Sequence, residues 1–331
     1  MFLDYHRIED NLPLTAEGAA AGEVKAGTAY TVVSYNMGFG AYESDYSFFM
    51  DGGTESWAWS KERLDTNLKN ITELLKEQNA DFYFVEEVDT DATRSYHRNE
   101  ADILRGALTG YSSVWGQNYD SPFLFWPLTQ PHGASESGLM TFSSAPIASS
   151  LRRSLPIETG VMKLVDLDRC YTVSRVPMEN GKELVLYAVH LSAYTSDGVI
   201  ANEQAEMLLS DMQSEYEKGN YCICGGDFNK DLLGNSEEVF GISAGDYTWA
   251  QPLPEELFRD KNITLVPPLD PENPVPSCRN ADAPYHEGQY VVTVDGFLVS
   301  DNVTVNSATV IDTGFAYSDH NPVTMTFTLH P

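Results

Sequence analysis

The chain has 331 residues and sets 20 Lys and Arg against 49 Asp and Glu, a formal net charge of −29. That balance offers no broad basic surface for holding a polyanion by counterion release. It speaks against a general DNA-coating protein, although a local cation can still bring one phosphate into an acidic site. With 42% hydrophobic and 21% charged residues, the composition is that of an ordinary globular protein, and a chain of this length buries a large core without disulfide staples.

The N-terminal stretch is polar and irregular: Arg7-Ile8-Glu9-Asp10-Asn11 precedes an Ala/Gly-rich run. It is expected to form a surface arm, residues 1–27, ahead of a single domain over residues 28–331. From residue 28 short apolar runs recur, each closing on polar residues. Strands are expected at 29–36, 81–88, 138–143, 171–178, 184–192, 221–226, 290–299, 303–311 and 323–329. Several are apolar throughout, as strands covered on both faces are. Helices are expected between them. In 60–76, Leu64, Leu68, Ile71, Leu74 and Leu75 share a stripe behind Ser60 as N-cap. In 99–108, Ile103, Leu104, Ala107 and Leu108 do the same before Gly110, and in 201–217 Ala205, Leu208, Leu209, Met212 and Tyr216 line up before Gly219. Apolar strands alternating with amphipathic helices predict an α/β layered fold.

The Pro-rich stretch 252–284 lies between two strand signals and reads as a functional or covering loop of the same domain. Three segments, 39–59, 111–126 and 246–290, read as aromatic-rich loops. Such aromatics form a substrate cleft or a membrane-touching rim, or simply pack the loops down; for any single one the last is favoured. Of Cys170, Cys222, Cys224 and Cys278, the pair Cys222 and Cys224 shares one strand face and reads as small buried residues, because no second Cys/His pair has zinc spacing. No signal peptide opens the chain and no run of about 18 apolar residues appears. The protein is expected to be soluble, with its compartment, and any anchor upstream of Met1, left open.

In layered α/β folds functional residues gather where strands end. Here those positions hold Asn36, Glu87, His190, Asp227, Asn229, Asp295, Asp319 and His320. Singly, each has a structural explanation as a turn, cap or core residue. Together they supply the carboxylate and amide oxygens a hard divalent cation takes, and the histidines that acid–base work needs near neutral pH.

Five blocks carry a resemblance to the endonuclease/exonuclease/phosphatase superfamily, the deoxyribonuclease I-like fold: Ser34-Tyr35-Asn36, Glu86-Glu87-Val88, Val189-His190-Leu191, Gly225-Gly226-Asp227-Phe228-Asn229 and Ser318-Asp319-His320-Asn321-Pro322. Val294-Asp295-Gly296-Phe297 resembles the strand that supplies an Asp before the last block. The resemblance implies a four-layer α/β sandwich, two packed mixed β-sheets flanked by helices. It also implies a Mg2+-dependent hydrolase of phosphate esters, with Mn2+ as a possible substitute. By matching position, Glu87 resembles the main metal carboxylate beside Asn36, and Asp319 adds a ligand or acts through a water. Asp227 and Asn229 resemble the pair that orients the nucleophile. His320 resembles the catalytic histidine oriented by Asp295, and His190 the second histidine of the deoxyribonuclease I and sphingomyelinase branches. Glu86 stands where the family usually has Gln. Strand alternation keeps it from meeting the same metal as Glu87, leaving it buried, paired with an Arg or near a second cation.

Arg94, Tyr96 and His97, which follow Glu87 closely, and Arg169, paired in sequence with Tyr171, are candidates for binding the substrate phosphate; each Arg could equally be a structural partner of Asp or Glu. The leading reading is a phosphoesterase acting on a small-molecule or lipid-headgroup phosphodiester or monoester. A nuclease is the alternative, since the scaffold alone does not choose a substrate. A non-catalytic binding protein would lack Glu87, Asp227 or His320. A calcium buffer would need the regular loop that Asp227-Phe228-Asn229-Lys230-Asp231 does not complete. No obligate protein partner is implied.

Overall fold

A computed structural model of the protein describes residues 7–157, 168–193, 199–245, 247 and 249–331. In chain order the strands are β1 (Leu12–Leu14), β2 (Ala29–Asn36), β3 (Phe82–Ala92), β4 (Ser112–Leu124), β5 (Gly133–Ser143), β6 (Ser149–Ser154), β7 (Cys170–Pro177), β8 (Glu183–His190), β9 (Tyr221–Asp227), β10 (Ile263–Val266), β11 (Cys278–Arg279), β12 (Val291–Val292), β13 (Asp295–Ser300), β14 (Val303–Val310) and β15 (Val323–Leu329). The helices are α1 (Lys61–Gln78), α2 (Glu100–Ala107), α3 (Val199–Glu217) and α4 (Ser236–Phe240).

Two mixed sheets form from these strands. One has seven strands in the order β1-β6-β7-β8-β9-β13-β10 and the other six in the order β14-β15-β2-β3-β5-β4. Each contains one parallel pair, β2 with β3 and β8 with β9, and the other pairings are antiparallel. A parallel pair needs a crossover. Helix α1 makes the first and α3 the second.

The core has three apolar layers. Val32, Phe82, Phe84, Met325 and Phe327 of one sheet meet Leu184, Leu186, Ile223, Phe297 and Val299 of the other. On the outer face of the six-stranded sheet, Leu64, Leu68, Ile71 and Leu75 of α1 and Ala101 and Leu104 of α2 pack on Val33, Tyr35, Tyr83 and Val85. On the outer face of the seven-stranded sheet, Ala205, Leu208, Leu209 and Met212 of α3 cover Val185, Tyr187, Cys222 and Cys224. Each buried Leu or Ile contributes roughly 1.5–3 kcal/mol. The result is the expected four-layer sandwich.

The helix signals locate their elements closely. Ser60 Oγ accepts from Arg63 N at 3.1 Å to cap α1, and Asn79 ends it in a left-handed conformation, φ 46°. The arm is less irregular than expected. Residues 1–6 lie outside the described chain, but Leu12–Leu14 pairs with β6 as an edge strand, Glu17 bridges to Ser113 and buried Val24 bridges to Met178. Most of segment 111–126 is a strand rather than a loop, the 13 residues of β4. Its polar Ser, Gly and Asn positions conceal the alternation. The β4–β5 turn ends in exposed Phe125, Trp126 and Leu128. Within 252–284, short β10 and β11 appear, and 290–299 splits into β12 and β13.

At the end of α3, Glu215 is buried and accepts from Arg175 Nη2 at 2.7 Å, Lys218 Nζ at 2.7 Å and Asn220 Nδ2 at 2.7 Å, tying the helix to β7. Burial opposes ionisation of this carboxyl, but those donors prevail and hold its pKa down to about 2. A depressed pKa adds stability that is full above the unfolded value near 4.5 and fades as pH falls towards 2. Glu215→Gln is expected to lower unfolding free energy by about 3 kcal/mol at pH 7. In urea melts the gap from wild type should shrink between pH 5 and pH 2; a gap independent of pH would show that the charge is irrelevant.

Candidate active site

Both parallel pairs end at the same edge of the sandwich, and strand register does much of the positioning. Asn36, the last residue of β2, lies opposite Glu86, while His190, the last of β8, lies opposite Asp227, the last of β9. Antiparallel β13 brings Asp295 opposite Asp227. Asp319 and His320 arrive just before β15, whose Val323 pairs with Ser34.

Glu87 is placed by an irregularity. Val85 pairs with Met140 and Val88 with Gly138, so Glu86 and Glu87 together face one residue of β5. Such a bulge re-aims side chains. Glu87 takes φ 55°, an uncommon conformation for a non-glycine residue, and its side chain lines the cleft. Glu86 turns inward, is fully buried, and accepts from Ser34 Oγ at 3.0 Å through Oε1, while Oε2 has no hydrogen-bond partner. Burial first, then the charges of Asp295 and Asp227, push its pKa well above the usual carboxylate range. Of the three options for this residue, burial is the one observed.

The centre is a chain of short polar contacts. Asn36 donates from Nδ2 to Glu87 Oε1 at 3.2 Å and to Asp227 Oδ2 at 3.1 Å, and its Oδ1 accepts from Gly38 N at 3.0 Å. Asp227 Oδ1 accepts from Asn229 N at 2.8 Å, and Oδ2 lies 3.4 Å from His190 Nε2 and 3.8 Å from His320 Nε2. Asn229 is anchored through Nδ2 to Leu191 O at 2.8 Å. His320 Nδ1 is 2.8 Å from Asp295 Oδ2, which also accepts from Ser277 Oγ at 2.7 Å. Burial alone would make His320 less basic, but Asp295 overrides it and raises the pKa well above the ordinary imidazole value. His190 goes the other way, lowered by burial and by Arg169. Asp227 is pushed up to about 7, chiefly by burial, with His320 opposing the rise.

Two carboxylate groupings offer ligands to a cation. Asp227, Asp295 and His320 present donor atoms within 4.8 Å of one another. Within this set one hydrogen bond is formed, His320 Nδ1 to Asp295 Oδ2, an oxygen that Ser277 also engages. Glu87, Asn36 and Asp319 form the other set. Burial raises the Asp319 pKa, with Glu87 adding to it and His320 and Arg279 opposing. Two neighbouring carboxylates are donors a hard divalent cation takes, and a cation there would relieve their repulsion; Asn36 Oδ1, held here by Gly38 N, would have to turn to join them.

Glu87, His190, Asp227, Asn229, Asp319 and His320 line one cleft, ≈ 1050 Å³ counting its open mouth, together with Tyr42, Phe48, Trp249 and His132, while Asn36 and Asp295 meet it through their hydrogen bonds to Glu87, Asp227 and His320. Thus a few of the loop aromatics form a cleft wall, while Phe39 and Tyr46 pack the loop onto the core. Arg94 and Arg169 also line the cleft. For Arg94 the structural role is observed: Nε and Nη2 grip buried Asp89 at 3.0 and 2.8 Å, and the guanidinium lies 4.0 Å from the Phe39 ring centroid. Tyr96 and His97 are not brought to the cleft. Tyr96 packs edge-on against Trp57 and donates to Ala58 O at 3.1 Å, and exposed His97 pairs with Asp91. The short turn after β3 adopts left-handed conformations at both residues and carries them away.

Sequence reasoning missed Ser277, Cys278 and Arg279. Arg279 N donates to Asp319 O at 2.9 Å, and Cys278 Sγ lies 3.6 Å from His320 Nε2. The buried Arg279 guanidinium is held by the carbonyl oxygens of Asn280, Ala283, Glu43 and Tyr46. No periodicity or motif marks these residues in the Pro-rich stretch.

A deep cleft of carboxylates, amides and histidines at the strand ends of a two-sheet sandwich defines a class of phosphate-ester hydrolases. A model of the Endonuclease/Exonuclease/phosphatase family matches residues 33–320, and the chain belongs to that family, whose members hydrolyse phosphate ester bonds and generally use divalent metals. Solved structures agree in fold. An endonuclease/exonuclease/phosphatase from Beutenbergia cavernae has a TM-score of 0.61 at 18% identity, covering 91% of this chain and 72% of that one. The human Nocturnin catalytic domain, with bound sulfate, has a TM-score of 0.57 at 18% identity over 96% and 97% of the two chains. ANGEL2, described as a 2′,3′-cyclic phosphatase and bound to adenosine-2′,3′-vanadate, has a TM-score of 0.58 at 16% identity over 94% and 100%. No curated protein sequence matches the chain. No helix among the described residues is long and apolar enough to cross a membrane.

Gly226 sits where β8 and β9 deliver His190 and Asp227. It adopts φ 154°, and a Cβ there would lie 1.9 Å from Val189 O. Gly226→Ala is expected to destabilise the fold by about 3 kcal/mol or more and to abolish any site-dependent activity. Thermal unfolding within a degree or two of wild type would contradict the close approach.

Proposed function

We propose that the protein is a divalent-metal-dependent phosphoesterase, with Mg2+ as the preferred ion and Mn2+ a substitute, acting on a small-molecule or lipid-headgroup phosphodiester or monoester. The observation that carries this reading is the Asp295–His320 pair facing Asp227 in the cleft that also holds Glu87 and Asp319, with Asn36 bonded to Glu87 and Asp227.

Glu87, Asn36 and Asp319 would hold the cation. The chemistry a cation would supply there is neutralisation of charge developing on the phosphoryl oxygens. Asp227, held by Asn36 and by the Asn229 amide, orients the attacking water and takes its proton. Its raised pKa suits it to a proton transfer near neutrality. The neutral His190 keeps Asp227 in position from the other side. Asp295 holds His320 through Nδ1, leaving Nε2 to place positive charge against the phosphoryl group and to deliver a proton to the leaving oxygen. As the water oxygen bonds to phosphorus, the ester P–O bond breaks, and the departing oxygen leaves protonated. Arg94 and Arg169 supply further positive charge for substrate phosphate. Tyr42, Phe48 and Trp249 give the cleft an apolar flank suited to a small organic group.

The charge of −29 favours a compact substrate over a long nucleic acid, which needs an extended cationic track. A screen with Mg2+ or Mn2+ over bis-p-nitrophenyl phosphate, phospholipids, sugar phosphates, nucleotides and plasmid DNA tests both readings. Turnover of small esters is expected, and turnover confined to DNA would replace this reading by the nuclease one. Glu87→Gln and His320→Ala should each lower kcat by at least about a hundredfold with the circular dichroism spectrum unchanged. Full wild-type turnover in excess EDTA would sink the metal assignment.

A further inference from the structure

One wall of the cleft carries polar groups that the proposed chemistry leaves unused. In β4 the register slips between Gln117, opposite Gly138, and Tyr119, opposite Ser137, so Asn118 is the extra residue of a bulge. Asn118 is 2% exposed, lines the cleft, and its Nδ2 has no hydrogen-bond partner in the protein. Ser137, also 2% exposed and cleft-lining, has an unpartnered Oγ. Ser137 is in turn the register partner of Asp89, the carboxylate that holds Arg94. Asn118 of β4, Ser137 of β5 and Arg94, whose side chain returns from the turn after β3 to Asp89, therefore line one part of the cleft. Arg169 lines the same cleft, and both arginines act electrostatically on Tyr119 between these strands. From the 252–284 loop comes Asn280, 6% exposed, which also lines the cleft.

Buried donors without partners are destabilising, and natural folds hold few of them. Gathered on one wall with two guanidinium groups, they are the complement of an oxyanion, to which amide, hydroxyl and guanidinium groups all donate. We propose that this wall is a second oxyanion subsite, which takes a phosphate group carried by the substrate in addition to the ester being hydrolysed. Preferred substrates are then small bisphosphorylated molecules, and headgroups ending in a quaternary ammonium are disfavoured because they would face Arg94 and Arg169. The assignment rests on the phosphoesterase reading for the meaning of "substrate", but the binding itself needs no metal and no turnover.

The test is isothermal titration in EDTA with inorganic phosphate, followed by adenosine 5′-monophosphate and adenosine 3′,5′-bisphosphate, on wild type, Asn118→Leu and Ser137→Ala. Wild type should bind inorganic phosphate at one site. Asn118→Leu should weaken that binding at least about tenfold while its melting temperature stays level or rises, because a nearly isosteric side chain replaces an unpartnered donor. Should that variant fail to fold, Ser137→Ala carries the same expectation with a smaller change in shape. The tethered second phosphate should bind at least about tenfold tighter than the monophosphate. Phosphate binding that is absent, or insensitive to both substitutions, would overturn the subsite. Equal affinities for the two adenosine phosphates would make it a site for free phosphate and overturn the substrate preference. Failure of the metal-dependent substrate screen would instead sink the hydrolase reading and leave the titration as it stands.

Discussion

The apolar contact between the two sheets is the constraint on which the cleft depends. Phe84 of β3 reaches across to Gly225 of β9, where an added Cβ would lie 2.5 Å from its ring and 3.1 Å from Phe297. That close approach fixes how one parallel pair sits over the other. Because β2 and β3 end where β8 and β9 end, side chains from opposite sheets meet: Asn36 touches Asp227 although 191 residues separate them. A sheet alone would present half a site. Close-packed interiors do not slide, so the apolar layer beneath holds the polar chain above it in one arrangement.

The edge of that layer is electrostatically expensive. Glu86, Asp227 and Asp295 are all buried there, and each raises the cost of ionising another. The fold meets this in different ways. Glu86 is pushed well above the carboxylate range by burial; Asp295 is matched by His320 and Ser277; Asp319 feels the charge of Arg279 and repulsion from Glu87. The carboxylates of Glu87 and Asp319 and the guanidinium groups of Arg94 and Arg169 line the same cleft. Within a protein of net charge −29, local fields of both signs are set by which few residues share the cleft, and the total says little about them.

Local signals carried most of the architecture. Stripes at helical spacing located α1, α2 and α3, because burying one face of a helix requires that pattern whatever covers it. Apolar runs located the central strands for the same reason. Two edge strands escaped: β4 is rich in Ser, Gly and Asn, and β1 is three residues long, so their pairing rests on neighbours rather than on their own composition. Of the candidate site residues, those at the ends of the parallel pairs and in β13 and the final block do converge. Tyr96 and His97 do not, since distance along the chain from Glu87 carries no information about the direction of the turn between them.

The sequence by itself determined the kinds of side chain at strand ends, the layered α/β class and the family motifs, because these are local in the chain. Only the tertiary structure decided that a bulge separates Glu86 from Glu87 and sends one into the core and the other into the cleft. It alone placed Arg279 behind Asp319 and Cys278 beside His320, and left Asn118 and Ser137 without partners on one wall. These contacts join residues far apart in sequence, and their energies depend on burial and distance, which exist only once the two sheets have packed.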